Sequence, residues 1–256
     1  MLRRALKNIV LLASAAALTA SCGLLPDLSG EKMSSAEKAK LNMQMGVRYL
    51  DLGILDVAQE KLEEAASLDS SNPEIHNALA VFYERIKNFD EAIDHYQSAL
   101  NKDSDNISTK NNYGRLLCER GEYEKGMGLL QQALDAPMNT RTWLALTNMG
   151  SCLIKQKDFV RGEAYFRQAL QANGEYAPAL QEMQKISYNN GQYMSARAFL
   201  ERYLSVAKHT PETLWYAFQT ERALGNSQAT DDYKQQLLNS FPASKEALEV
   251  KTAINK

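Results

Sequence analysis

The histidines and adjacent acidic pairs of this 256-residue chain are the first candidates for catalysis or metal binding. The histidines are His76, His95 and His209, and no second ligand stands beside any of them at the spacing that metal sites use. The adjacent acids Glu63-Glu64 and Asp231-Asp232 are more typical of solvated helix faces than of acid–base pairs. We therefore interpret these side chains as structural and expect no metal site.

The motifs that catalysis and cofactor binding require are missing from the sequence. There is no Gly-x-Ser-x-Gly nucleophile elbow, no phosphate-binding loop and no dinucleotide fingerprint. The chain has 29 basic and 31 acidic side chains, and without Arg3, Arg4 and Lys7 at its start the basic ones number 26. This acidic excess, with no continuous basic patch, argues against nucleic acid as the main partner. We expect a protein without enzymatic activity, cofactor or small-molecule substrate.

The stretch 73–106 reads as one complete hairpin of two helices. Its two apolar stripes are Leu79, Ala80 and Tyr83, then Phe89, Ala92, Tyr96, Ala99 and Leu100. Both stripes follow the 3.6-residue helical period, so each lies along one side of a helix. Two helices this short cannot bury both of their faces, which predicts that the hairpin stacks on copies of itself.

Copies of this hairpin recur along the chain in nearly constant phase. The residue at the turn between the helices recurs at steps of 34 or 36 residues: Gly53, Lys87, Gly121, Lys157, Gly191 and Gly225. Five places later stand Ala58, Ala92, Gly126, Gly162, Ala196 and Thr230, most of them small. These positions resemble the tetratricopeptide repeat (TPR) over six units. The resemblance implies an all-α TPR superhelix of six helix-turn-helix repeats.

The predicted chain has three parts. A signal peptide at 1–21 and a flexible linker at 22–34 precede a solenoid at 35–256. We place the repeats at about 39–72, 73–106, 107–142, 143–176, 177–210 and 211–244, with a capping helix at 244–255. That last helix is expected to shield the end of the stack, which otherwise exposes an apolar face.

The start of the chain has the composition of a secretory signal. A basic beginning is followed by an apolar run at 9–20, which is too short to cross a bilayer. The run ends in Leu18-Thr19-Ala20-Ser21-Cys22, which resembles the bacterial lipoprotein box, although an ordinary cleavage site is the alternative. The resemblance implies that Cys22 is lipidated and, because Gly23 follows it, that the protein is sorted to the outer membrane. Several acyl chains give stable anchoring, whereas one binds only marginally.

Two further cysteines fall in corresponding helices of neighbouring repeats. Cys118 lies near the end of the first helix of repeat three, and Cys152 lies in the equivalent helix of repeat four. First helices of successive repeats run side by side, and an exported protein meets an oxidising environment, so we favour a disulfide. Two buried free cysteines that pack as small apolar residues are the alternative.

The first helices of the repeats also line the inner groove of a TPR array. The candidate groove residues are Val47, Leu50, Asn77, Val81, Asn111 and Arg115. Apolar side chains supply burial, and side-chain amides offer a donor and an acceptor to a peptide backbone. The alternative is that these residues are ordinary surface. We expect the groove to bind a polypeptide.

Three short segments are similar to a known family: 111–118, Gly150-Ser151-Cys152 and Phe241-Pro242. With the lipoprotein box and the six repeats, they resemble the PilF/PilW family of type IV pilus biogenesis lipoproteins, some members of which carry an inter-repeat disulfide. The resemblance implies a pilotin: a monomer anchored at the outer membrane, facing the periplasm, that enables the pilus secretin to localise and form its multimeric ring. The alternative is a TPR scaffold for another envelope machine, such as outer-membrane barrel assembly or peptidoglycan synthesis.

Overall fold

The computed structural model describes residues 33–254, in which the secondary structure is helical throughout. The helices are α1 (Ser35–Asp51), α2 (Leu55–Leu68), α3 (Pro73–Arg85), α4 (Phe89–Lys102), α5 (Ile107–Glu119), α6 (Tyr123–Asp135), α7 (Thr142–Lys155), α8 (Phe159–Ala172), α9 (Ala177–Asn189), α10 (Tyr193–Leu204), α11 (Pro211–Ala223), α12 (Ser227–Ser240) and α13 (Lys245–Ile254). Within this range no helix combines the length and apolar character that crossing a bilayer requires. The predicted signal peptide and Cys22 lie outside the described residues.

The first twelve helices form six hairpins, two helices to each predicted repeat. The helices of a hairpin pack against each other, and first helices of successive repeats also touch, as α5 touches α7 and α9 touches α11. The fold prediction is confirmed: this part of the chain is an all-α TPR array. Helix α1 begins at Ser35, where the predicted solenoid starts, and the Ser35 hydroxyl donates a hydrogen bond to the carbonyl of Leu68 at 2.9 Å.

Each turn inside a repeat is built on one residue in the left-handed conformation. The backbone φ is positive at Gly53 (74°), Lys87 (63°), Gly121 (87°), Lys157 (63°), Gly191 (72°) and Gly225 (75°). In the second turn, the N–H of Lys87 donates to the carbonyl of Glu84 at 3.0 Å, and the N–H of Asn88 donates to that of Tyr83 at 2.9 Å. These bonds satisfy carbonyls at the helix end while the chain reverses, which is why glycine recurs at this position.

The recurring small residue lies where the two helices of a hairpin approach most closely. Alanine is fully buried there in repeats one, two and five. In repeat three a Cβ on Gly126 would lie 2.7 Å from the carbonyl oxygen of Gly114, and in repeat four one on Gly162 would lie 2.7 Å from Cδ1 of Ile154. Both distances are shorter than real Cβ contacts, so glycine permits the observed spacing of α5 from α6 and of α7 from α8.

The loop between α6 and α7 accommodates the two residues by which repeat three exceeds the usual length. Pro137 and Met138 are exposed in this loop. The side-chain amide of Asn139 donates to the carbonyl of Ala133 at 2.7 Å, and its oxygen accepts from the N–H of Arg141 at 2.8 Å. The asparagine thus closes the longer loop, and the register of the stack resumes in α7.

Helix α13 covers the carboxy-terminal end of the array. Ala247 and Val250 of α13 are buried against Leu214 of α11 and Leu237 of α12. The junction between repeats five and six is more polar. Among the described residues, the buried side-chain atoms there that have no hydrogen-bond partner are Oε1 of Gln184, Oγ of Ser187, Oε1 of Gln219 and Oγ1 of Thr220.

Candidate protein-binding groove

The predicted groove residues lie on three neighbouring first helices, α1, α3 and α5. Val47 of α1 is exposed, and Val81 of α3 is partly buried between two apolar clusters. The prediction for Leu50 is wrong, because this side chain is 3% exposed and packs in the core. Leu50 lies one helical turn after Gly46, which packs on Leu62 of α2, so it faces α2 rather than the groove.

The groove asparagines form pairs between repeats. The side-chain amide of Asn112 donates to Oδ1 of Asn77 at 3.2 Å, and that of Asn148 donates to Oδ1 of Asn111 at 3.1 Å. The two pairs connect α3 to α5 and α5 to α7. Each leaves one amide nitrogen and one amide oxygen outside the pair, and Asn77, Asn111 and Asn112 line a cleft of about 300 Å³. A free donor beside a free acceptor is complementary to an extended peptide backbone.

Arg115 is held by acidic side chains of the protein itself. Its guanidinium contacts Glu84 of α3 at 2.7 Å and Glu119 of α5 at 2.7 Å. The Glu84 side chain, 10% exposed, also accepts a hydrogen bond from the hydroxyl of Tyr96. Burial and then the Glu84 charge raise the pKa of Tyr96, so the phenol remains protonated. Arg115 therefore fixes α3 against α5, and a partner would meet an arginine whose charge is already balanced.

Acidic side chains of α11 hold cations in the second half of the array. Lys185 of α9 contacts Glu212 at 2.9 Å, and the amide of Gln181 donates to the same carboxylate at 2.7 Å. Nε of Arg197 in α10 donates to Glu221 at 2.7 Å, and the Glu221 side chain is 5% exposed. Like Glu84, these acids join one repeat to its neighbour.

A disulfide joins the first helices of repeats three and four. Cys118 of α5 and Cys152 of α7 are bonded, and their Cα atoms lie 5.3 Å apart. Both are buried, beside Leu130 and Met149. Gly126 leaves space for the sulfur of Cys118, since a Cβ there would lie 2.6 Å from Sγ. The bond crosses the same α5–α7 contact as the second asparagine pair.

One contact that the sequence analysis did not predict joins two histidines of repeat two. Nδ1 of His76 lies 3.1 Å from Nδ1 of His95, and Nε2 of His76 lies 3.1 Å from the carbonyl oxygen of Ser70. The ring of Tyr83 stacks on His95. This contact could have been predicted from the register of the hairpin, because residues at similar distances from the turn lie opposite each other on antiparallel helices. In residues 33–254 no group of three or more His, Cys, Asp or Glu side chains is placed to hold a metal ion.

Two family models match the amino-terminal half of this array. One, described as YpiA-like tetratricopeptide repeats, matches residues 51–104, and a tetratricopeptide repeat model matches residues 85–149. Among proteins of known name, the type IV pilus assembly protein PilF of Pseudomonas aeruginosa is 26% identical over 204 residues, which are 80% of this chain and 81% of PilF. The chain is a homologue of PilF.

Two solved structures agree with the PilF homology. The structure of Pseudomonas aeruginosa PilF has a TM-score of 0.71 and 25% identity, over 86% of this chain and 99% of that one. PilW, described as a widely conserved type IV pilus biogenesis factor, has a TM-score of 0.70 and 29% identity, over 83% of this chain and 97% of that one. These similarities relate the chain to TPR proteins of type IV pilus biogenesis.

Proposed function

We propose that this protein is a pilotin, a non-enzymatic outer-membrane lipoprotein that the type IV pilus secretin needs for its localisation and for the assembly of its stable multimers. The homology to PilF over 80% of the chain is the observation that carries the proposal. Pilus formation and twitching motility then depend on this protein.

In this proposal Cys22 carries the lipid and holds the protein at the periplasmic face of the outer membrane. The support is the lipoprotein-box sequence around Cys22 and the glycine that follows it. The linker that ends near residue 34 works as a tether of roughly 20 Å average reach. Lipid and tether set where the array acts, and the array itself makes the contact.

The groove holds a segment of the secretin through burial and backbone hydrogen bonds. Val47 and the partly exposed Val81 offer apolar surface, and each methylene of the partner buried there contributes about 0.8 kcal/mol. The asparagine pairs on α3, α5 and α7 supply donors and acceptors for the segment's backbone. Holding is the whole mechanism, and no reaction is required.

Deletion of the gene in a piliated strain tests the proposal. We expect secretin multimers to disappear from the outer-membrane fraction, subunits to accumulate elsewhere, and motility to be lost until the gene is restored. Multimers that persist at the outer membrane without this protein would refute the pilotin role. If outer-membrane barrel assembly or peptidoglycan synthesis also failed in that strain, we would conclude that the protein is a scaffold for that envelope machine.

A Cys22→Ser variant tests the anchor separately. We expect the array to fold normally, with an unchanged melting temperature, while the secretin is mislocalised. The wild-type protein expressed at the same level is the control. Correct secretin localisation in this strain would remove the lipid from the mechanism.

A Val47→Asp variant tests the groove. Val47 is 39% exposed, so a charge there should weaken secretin capture several-fold without changing the melting temperature. Leu41 lies on the same helix outside the predicted groove and is 45% exposed, so Leu41→Asp is the matched control. Equal loss of capture in both variants would argue against a groove-specific contact.

A further inference from the structure

A second cleft opens where α7 meets α9, beyond the asparagine pairs. It has a volume of about 270 Å³. Its lining includes Thr147, Asn148, Ser151, Tyr176, Glu182 and Tyr203. With Gln181 also in the lining, the cleft combines one carboxylate, two amides, two aliphatic hydroxyls and two tyrosine side chains, and it contains no positively charged side chain among its lining residues.

The lining departs from the pattern of the preceding repeats. In the repeat register, Thr147 occupies the place of Asn111, and Glu182 occupies the place of Asn148, so a third pair would be expected here. No hydrogen bond joins the two side chains. Thr147 is 5% exposed, and its hydroxyl oxygen has no partner among the described residues. A buried hydroxyl without a partner is costly, and this one belongs to a residue that lines the cleft.

Glu182 also differs from the other shielded acids of the array. Glu84 and Glu221 each hold an arginine, and Glu212 holds a lysine. Glu182 forms no hydrogen bond or ion pair with any described residue. The nearest ammonium on its own helix, that of Lys185, is already bound to Glu212 at 2.9 Å.

The charges around the carboxyl group of Glu182 agree with a missing cation. Burial raises the pKa of Glu182, and the neighbouring Glu212 raises it further, while Lys185 and Lys155 act in the opposite direction. A carboxylate that is shielded from water and unpaired gains more from a cation than an exposed one does.

We infer that this cleft binds the guanidinium group of an arginine on the polypeptide that occupies the groove. A guanidinium has five donors in a plane, which suits the carboxylate of Glu182 together with the hydroxyl of Ser151 better than a compact ammonium does. The rings of Tyr176 and Tyr203 flank the cleft and suit its flat face or its aliphatic stem. The inference rests on the proposed function, because it specifies part of the segment that the groove holds.

The direct test titrates the purified protein with N-acetyl-arginine N-methylamide and follows backbone amide shifts by NMR. We expect saturable shifts near residues 147–151 and 181–182, at least tenfold weaker binding by Glu182→Gln, and weaker binding of the citrulline and lysine analogues. Glu175→Gln removes an exposed carboxylate one loop away and is the matched control, with affinity within twofold of wild type. Equal affinity in Glu182→Gln, or equal binding of the citrulline analogue, would overturn the assignment.

We do not expect a folding defect in Glu182→Gln to complicate this test. Glu182→Gln removes an unpaired, shielded charge, so its melting temperature should equal or exceed that of wild type. In cells, we expect Glu182→Gln to reduce secretin multimers several-fold while Glu175→Gln does not. Normal multimers in the Glu182→Gln strain would overturn the inference and leave the pilotin proposal standing. If gene deletion leaves the multimers intact, it is the pilotin proposal that fails, and the analogue titration still tests the cleft.

Discussion

Lys87 and Lys157 hold a backbone conformation that most side chains oppose. Both have a φ of 63°, in turns whose four counterparts are glycine. The left-handed conformation brings a Cβ close to the following carbonyl oxygen, and glycine has no such contact. The hydrogen bonds of the turn are the same in either case, so the lysines fit the repeat at a local cost.

Replacing Lys87 by glycine should therefore stabilise the protein. We expect a gain of about 1 kcal/mol, measured as a higher urea midpoint with an unchanged slope. Gly121→Lys is the reciprocal control and should lose a similar amount. A lower midpoint for Lys87→Gly would mean that the lysine side chain makes a contribution larger than the backbone strain.

The histidine contact predicts a pH dependence of stability. Burial and then the neighbouring His76 lower the pKa of His95 below 6.5, and burial lowers that of His209. Because the unfolded chain then binds more protons, stability is complete above about pH 6.5 and is lost as the pH falls through that value towards the folded-state pKa. We expect the melting temperature to drop between pH 7.5 and 5.5, and to drop less in His95→Gln. His209→Gln should remove the part of the drop that His209 causes. If the melting temperature of both variants depends on pH as that of wild type does, this account is wrong.

At the scale of the helices, the features that could be predicted from the sequence are those that require one particular type of residue. A left-handed turn favours glycine, and a close helix crossing favours alanine or glycine, so both recur visibly. The asparagine pairs and the Arg115–Glu84 bridge left no such signal, because they depend on side-chain rotamers and on how two helices rotate against each other. Leu50 was misplaced because its place in the repeat, three residues before the turn, is shielded by neighbouring helices; Glu84 holds the same place in α3 and its side chain is only 10% exposed.

The bridge between α3 and α5 predicts the cost of removing Arg115. Arg115→Ala leaves the Glu84 carboxylate, 10% exposed, without its cation, so we expect a loss of about 1–3 kcal/mol in denaturant unfolding. Arg115→Ala combined with Glu84→Gln should recover part of that loss. Stability equal to wild type in the single variant would show that the bridge contributes nothing. For this reason Val47, rather than Arg115, is the cleaner probe of partner binding.

At the scale of the whole array, stability is a sum of repeats and of the contacts between neighbours. The disulfide and the second asparagine pair strengthen the junction of repeats three and four, near the middle. The junction of repeats five and six is weaker, because it buries polar atoms of Gln184, Ser187 and Thr220 that lack hydrogen-bond partners within residues 33–254. Helix α13 covers this end through Ala247 and Val250.

Removing the disulfide should lower the stability of the folded array. The bond closes a separation of 34 residues, so its loss should cost about 2–4 kcal/mol. We expect a lower melting temperature in Cys118→Ala/Cys152→Ala, and in wild type treated with reductant. A melting temperature of the double variant equal to that of wild type would mean that the bond does not contribute to the stability of the folded array.

The uneven junctions predict a gradient of local opening. Hydrogen–deuterium exchange should be fastest in 211–254 and slowest in 107–155 among the described helices. Reductant should speed exchange in the middle segment and leave the carboxy-terminal segment unchanged. Uniform exchange along the array would show that it unfolds as one cooperative unit.

The asparagine pairs and the disulfide leave little freedom among α3, α5 and α7. These helices are already ordered before a partner binds, so the conformational entropy lost on association is mainly that of the incoming segment. Affinity should then respond strongly to stiffening of the ligand, for example by cyclisation, and weakly to any further bracing of the array. The middle of the groove behaves as a rigid template that selects segments already close to the bound shape.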